Sequence, residues 1–109
     1  MRQVDEVDET LGALIARVRA ETGLTQLRLA ARLCAASGVA TVTRHEISRW
    51  EREERVPRGY WLAWLALVLD LPLERLERAA AATRRHRRPY ADVRRRWREV
   101  FPGVFERAA

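Results

Sequence analysis

Apolar positions recur at three- and four-residue spacing through most of the chain, and long alternating β-branched runs are absent. That periodicity predicts an all-helical protein. Leu11, Leu14, Ile15 and Val18 form one stripe, which predicts a first helix over about residues 9–22 with Gly23 closing it. Thr25 reads as the N-cap of a second helix that turns Leu29, Ala30 and Leu33 inward. The stretch from Ala35 to Val39 breaks the pattern. Thr43-Arg44-His45-Glu46 then fits S/T-x-x-E, the capping-box spacing. In that motif Thr43 accepts from the Glu46 amide and the Glu46 carboxylate reaches back to the Thr43 amide. A short helix is expected to start at Arg44 and to bury Ile47 and Trp50.

A charged connection from Arg52 to Pro57 leads into a fourth helix over about residues 58–69. Tyr60, Trp61, Leu62, Trp64, Leu65, Leu67, Val68 and Leu69 make it apolar almost all round, so it is either central or half of a subunit interface. Pro72 suits the first turn of a fifth helix with Leu73 and Leu76 inward. Thr83 to Pro89 reads as a basic linker. A last amphipathic helix follows, with Tyr90, Val93, Trp97 and Val100 on one face and Arg94, Arg95, Arg96 and Arg98 over the rest; Pro102-Gly103 ends it. The expected organisation is an acidic tail (1–8), a helical domain (9–80), and a basic linker with a C-terminal helix (81–109).

Composition narrows the function. At 109 residues the chain is one small domain with a short appendage, which excludes large catalytic folds such as an α/β barrel. The formal net charge is +6, and every one of the 21 basic residues is arginine. Planar guanidinium forks grip phosphates and guanine edges, so nucleic acid or another anionic surface is the leading partner class; coding bias in a GC-rich genome is the plainer reading of the same arginines. A single cysteine, Cys34, excludes an internal disulfide framework and a cysteine metal cluster. No apolar run is long enough to span a bilayer, and the N-terminus is acidic rather than basic-then-apolar, so neither a membrane partner nor a signal peptide is expected and the cytoplasm is the expected compartment. No Gly-rich phosphate loop, metal-ligand spacing or Ser-His-Asp set is present, so an enzyme, a cofactor and a bound metal are not expected.

A longer helix followed by two short ones, the second carrying a Thr-Gln start and the third a cap, is a helix-turn-helix layout. Gly23-Leu24-Thr25-Gln26, Leu29-Ala30, Ile47-Ser48-Arg49-Trp50-Glu51, Pro57 and Leu71-Pro72 occur in that order. Over about residues 9–80 this set resembles the lambda-repressor-like (XRE-type) DNA-binding family, and the arginine, alanine and leucine usage makes a high-GC bacterial member the expectation. The resemblance implies a five-helix DNA-binding domain, here with an additional C-terminal amphipathic helix. It also implies that the third helix, about residues 44–52, enters the major groove.

Carried over by position, the resemblance makes Arg44, His45 and Arg49 base-reading residues. Arginine binds guanine O6 and N7 bidentately, so G-containing half-sites are expected. Thr25 and Gln26 open the second helix, where similar proteins contact a phosphate; a plain cap is the alternative for Thr25, and both roles are compatible. Thr43 and Ser48 are further phosphate candidates. Arg52, Arg55 and Arg58 flank the next loop as phosphate clamps or as solvated charges. Arg19 and Glu51 match a structural ion pair of similar proteins. Glu46 is assigned to the cap rather than to a cytosine.

Two departures bear on the site. Between Leu33 and Val42 the chain carries about seven residues more than the usual short turn, so either the second helix extends through Ala36 or the loop bulges. Glu53 stands where similar sequences often place glycine. The segment beyond residue 80 lies outside the resemblance and reads as a dimerisation or docking helix, a DNA arm through Arg84 to Arg88, or a helix folded back on the core; its apolar face and basic remainder also fit an anionic membrane surface, the least favoured of the four. The functional expectation is a sequence-specific, double-stranded-DNA-binding transcriptional regulator. It is expected to act as a homodimer through the fourth helix, the C-terminal helix or both (Trp61, Trp64, Val93, Trp97). The alternative is an antitoxin or other partner-bound interaction protein that keeps the helix-turn-helix for autoregulation.

Overall fold

A computed structural model describes residues 9–103, and for residues 88–92 the backbone alone. Among the described residues there are five α-helices and no strand: α1 (Leu11–Glu21), α2 (Gln26–Ser37), α3 (Arg44–Glu51), α4 (Gly59–Leu69) and α5 (Leu73–Val100). The acidic tail, residues 104–109 and the side chains of Arg88, Pro89 and Tyr90, for which expectations were stated above, lie outside the described residues. The all-helical class agrees with the periodicity.

The helix starts follow from their caps. Thr10 accepts from the Ala13 amide and Thr25 from the Arg28 amide, each settling a donor that has no partner inside its own helix. α2 runs past Ala36 to Ser37, so the extra residues after Leu33 are taken up as added helix and a short turn. Gly38 stops it at φ 75°, a left-handed conformation that costs glycine little.

α3 packs on α1 and α2, α4 on α2, and α5 on α1 and α4. One core joins them, with Leu14, Ile15, Leu29, Leu33, Ile47, Leu65 and Leu76 among its fully enclosed side chains. Each such leucine or isoleucine contributes on the order of 1.5–3 kcal/mol. Trp61, Trp64 and Val68 are only partly buried against that core. α4 is therefore central on one side, while Tyr60 and Leu67 stay exposed on the other.

The segment from Thr83 to Pro89 differs from the expected linker: α5 is one 28-residue helix that runs through it. Alanine and arginine are good helix formers, and the stretch from Ala79 to Arg88 consists of little else. Thr83 marks where the helix leaves the core. It is buried, its Oγ1 accepts the Leu11 amide at 2.8 Å, and its hydroxyl donates to the Ala79 carbonyl at 3.2 Å. The first amide of α1 is thus satisfied from a residue 72 positions onward. From Arg84 to Arg87, and again from Val93 to Val100, every described side chain is exposed.

Glu9 adds a second tie between the chain start and α5. Its carboxylate accepts from Arg17 at 2.9 and 3.0 Å and from Arg75 at 2.8 Å. The Arg17 guanidinium, with help from Arg75, holds the Glu9 carboxyl below its ordinary 4.5 against partial desolvation. The unfolded chain therefore binds this proton more tightly than the native state. The contribution of Glu9 to stability is complete above pH 4.5 and is lost as pH falls below that value. Urea unfolding measured from pH 6 to pH 3 is expected to show a shallower acid loss for Glu9→Gln than for the natural chain.

Candidate nucleic-acid interface

At 100° per residue, seven of the eight residues of α3 divide into two arcs, with Glu46 at the boundary between them. Ile47, Trp50 and Glu51 fall on one arc and are buried as side chains. Arg44, His45, Ser48 and Arg49 fall on the opposite arc; Arg44, His45 and Arg49 are exposed and Ser48 is half-buried. The helix thus turns its apolar edge to α1 and α2 and three nitrogen-bearing side chains outward.

The seat of α3 is polar as well as apolar. Glu51 accepts from Arg19 Nε at 2.6 Å and Nη2 at 3.1 Å, a bidentate pair, and from Gln26 Nε2 at 2.9 Å. Arg19 Nη1 donates to the Leu24 carbonyl at 2.9 Å. The bond to Glu51 raises the Arg19 pKa further, opposed by burial. This network ties the end of α1, the turn and start of α2, and the end of α3. The scaffold role expected of Arg19 and Glu51 has this geometry. The Gln26 side chain faces inward to Glu51, so one donor of its amide is already committed instead of being offered to a phosphate.

Gly12 makes the close approach possible. A Cβ there would lie 2.5 Å from the Glu51 carbonyl oxygen and 2.7 Å from that of Trp50. Glu53, just past α3, has φ 62°, a left-handed conformation that favours glycine and accounts for glycine being the easier residue at this place.

The cap of α3 is half a capping box. Thr43 Oγ1 accepts the Glu46 amide at 3.4 Å. The Glu46 carboxylate does not complete it; it accepts instead from Arg49 Nη1 at 3.3 Å and from Arg55 Nη1 at 3.1 and 3.4 Å. Arg52 pairs with Glu54 at 3.3 Å. Arg58 is the N-cap of α4 without a side-chain cap bond. Arg55 and Arg58 line a cleft of about 450 Å³ with Glu46, Trp50, Val56, Pro57 and Trp61. Arg49, Arg55 and Arg58 are therefore brought to one side of α3, around Glu46. Arg52 is engaged with its own acid, and Thr25 caps α2.

Arg44, His45 and Arg58 make no ion pair with any described residue. Cys34 is half-buried and its thiol donates to the Val42 carbonyl at 3.3 Å, as a packed residue would. Among the described residues no group of three His, Cys, Asp or Glu side chains is placed to hold a metal ion, and no helix is long and apolar enough to cross a membrane.

Away from this face, Val93, Trp97, Val100 and Phe101 form an exposed stripe on the far half of α5. The Trp97 and Phe101 rings are in contact, with centroids 4.6 Å apart and planes tilted by 42°. Of the residues named for a subunit interface, Val93 and Trp97 are exposed, whereas Trp61 and Trp64 are partly covered by their own core.

Sequence reasoning passed over Gly12 and the buried Thr83, and it assigned to the cap a Glu46 carboxylate that accepts from Arg49 and Arg55 instead. A glycine on the inward stripe of α1, one residue after Leu11, is the one available sign of a close helix approach. Comparison with known proteins finds no matching family model, no matching curated protein and no matching solved structure.

Proposed function

We propose that this chain is a sequence-specific, double-stranded-DNA-binding transcriptional regulator of the lambda-repressor-like (XRE) helix-turn-helix type, with α3 in the major groove. The observation that carries this reading is the division of α3. Ile47, Trp50 and Glu51 anchor it, while Arg44, His45 and Arg49 are exposed and Ser48 is half-buried between them. An α-helix fits the major groove, where arginine distinguishes guanine by its paired acceptors. The net charge of +6 supplies the nonspecific attraction that brings such a face to a polyanion. Arg44, Arg49 and His45 read bases. Arg55, Arg58, Ser48, Thr43 and the amides at the start of α2 contact phosphates. No catalytic residue, cofactor or metal enters this reading.

Arg49→Ala is expected to lower affinity by about 1–3 kcal/mol for the preferred duplex and to relax preference at one base position. Anisotropy titrations against single-base variants of a selected site check this. An equal loss on every sequence would make Arg49 a phosphate contact.

A homodimer fits the reading, since two half-sites about 34 Å apart match a two-fold pair of recognition helices. The exposed stripe Val93, Trp97, Val100 and Phe101 also favours a second reading, an antitoxin-like or partner-bound protein. A chain ending at Thr83 is expected to remain folded, because the described side chains from Arg84 to Arg87 and from Val93 to Val100 are exposed. Sedimentation of that truncated chain separates the roles: loss of a dimer assigns the stripe to self-association, and a retained dimer assigns it to another protein.

A further inference from the structure

Glu46 holds one carboxylate between two arginines of the proposed DNA surface. Its side chain is largely covered, 20% exposed, while those of Arg49 and Arg55 are 51% and 63% exposed. Both arginines approach it through Nη1 alone, at 3.1–3.4 Å. These distances exceed the 2.7–2.9 Å of a tight charge-assisted bond, so the pairs orient the arginines more than they lock them. The Nε and Nη2 hydrogens of each guanidinium are not spent on Glu46.

A guanine edge and a phosphate make different demands on such an arginine. Guanine needs two parallel N–H groups aimed at O6 and N7, and that need is geometric. A phosphate responds chiefly to net positive charge, wherever it is carried. A carboxylate on Nη1 reduces the charge offered to phosphates while it leaves the Nε/Nη2 edge intact and steadied. It therefore weakens binding to arbitrary sequence more than binding to a guanine placed opposite that edge. Glu46 is a poor cytosine acceptor by the same geometry, because its oxygens are already engaged and mostly enclosed.

We infer that Glu46 is a positioning residue that sets sequence specificity: it aims Arg49 at a guanine edge and keeps it from acting as a further phosphate clamp beside Arg55. The inference rests on the DNA-binding reading above and assigns the specificity of that surface to a residue that touches no base.

The test compares the full chain with Glu46→Gln and Glu46→Ala, using a selected duplex and a scrambled duplex of the same length, across a potassium chloride series. Both variants are expected to bind the scrambled duplex more tightly. Its log–log salt slope steepens by about one unit as Arg49 is released to a phosphate. The ratio of selected to scrambled affinity falls by about ten-fold, as expected for one misaimed arginine–guanine pair. An unchanged slope and ratio in both variants overturns the inference. A natural chain that shows no preference for any duplex overturns the DNA-binding reading instead, and the specificity role with it. A readout without DNA separates the two failures. The side-chain Nε–H signals of Arg49 and Arg55 in the NMR spectrum of the free protein should both shift in Glu46→Gln. Signals that stay in place show that the carboxylate does not hold these arginines, whatever DNA does.

Discussion

Glu51→Ala is expected to destabilise the protein by about 3 kcal/mol, the lower end of the range for breaking a buried ion pair. The Glu51 side chain is 8% exposed and that of Arg19 is 19% exposed, so the arginine left behind recovers only part of its hydration. Arg19 would keep its bond to the Leu24 carbonyl, and Gln26 would lose its acceptor. The size of the loss reflects the stranded charge more than the worth of the pair. Replacing both residues with methionine is therefore expected to cost less than Glu51→Ala alone. Urea unfolding of the single and double variants checks both statements. A loss below about 1 kcal/mol for Glu51→Ala would place the pair among solvent-screened surface bridges.

The second large effect is expected at Gly12. Alanine normally favours a helix over glycine by about 1 kcal/mol. At this position the added methyl would meet two backbone carbonyls, at 2.5 and 2.7 Å, and the Glu53 side chain at 2.7 Å. A flexible side chain can move aside, but the carbonyls of Trp50 and Glu51 belong to the last turn of α3. The helix must shift away from α1, which opens the contact that Ile47, Trp50 and Glu51 make. Gly12→Ala is expected to cost about 2–3 kcal/mol net, in the range of overpacked cores. Because the displaced element is the helix proposed to enter the major groove, that proposal predicts that DNA affinity falls under conditions where the variant is still folded. Gly23→Ala makes a useful contrast. Nothing lies within 4 Å of a Cβ there, and its cost would come from φ 74° alone.

The helices were legible where one face is apolar and a cap precedes it. Thr25 and Thr43 begin their helices, and the Leu11–Val18 stripe is buried as its spacing implies. The end of α2 was legible as a choice between a longer helix and a bulge, and Gly38 resolves it. The continuity of α5 was not legible, because a run of arginines ending in proline reads as a solvated connection. The burial of α5 up to Thr83 and the long-range bond from Leu11 to Thr83 show how far the helix belongs to the core. A residue 72 positions away leaves no mark in local periodicity.

Legibility of the site divided the same way. Which side chains of α3 face outward follows from 100° per residue and the burial of Ile47 and Trp50. How those side chains are engaged does not. S/T-x-x-E places a carboxylate within reach of the Thr43 amide, yet Arg49 and Arg55 converge on the same carboxylate and take it. Arg55 reaches Glu46 from nine residues onward, across a turn that includes the left-handed Glu53. That geometry depends on the path of the loop and not on helical spacing.

Selection of bound sequences from random duplex DNA at near-physiological salt tests the central claim most directly. The expected result is an enriched motif with guanines at the positions that the proposed function assigns to Arg44 and Arg49, repeated as a rough palindrome with half-sites about one helical turn, some 34 Å, apart. Binding that falls with salt yet enriches no motif would contradict it, and would leave the arginines as a nonspecific polycationic surface.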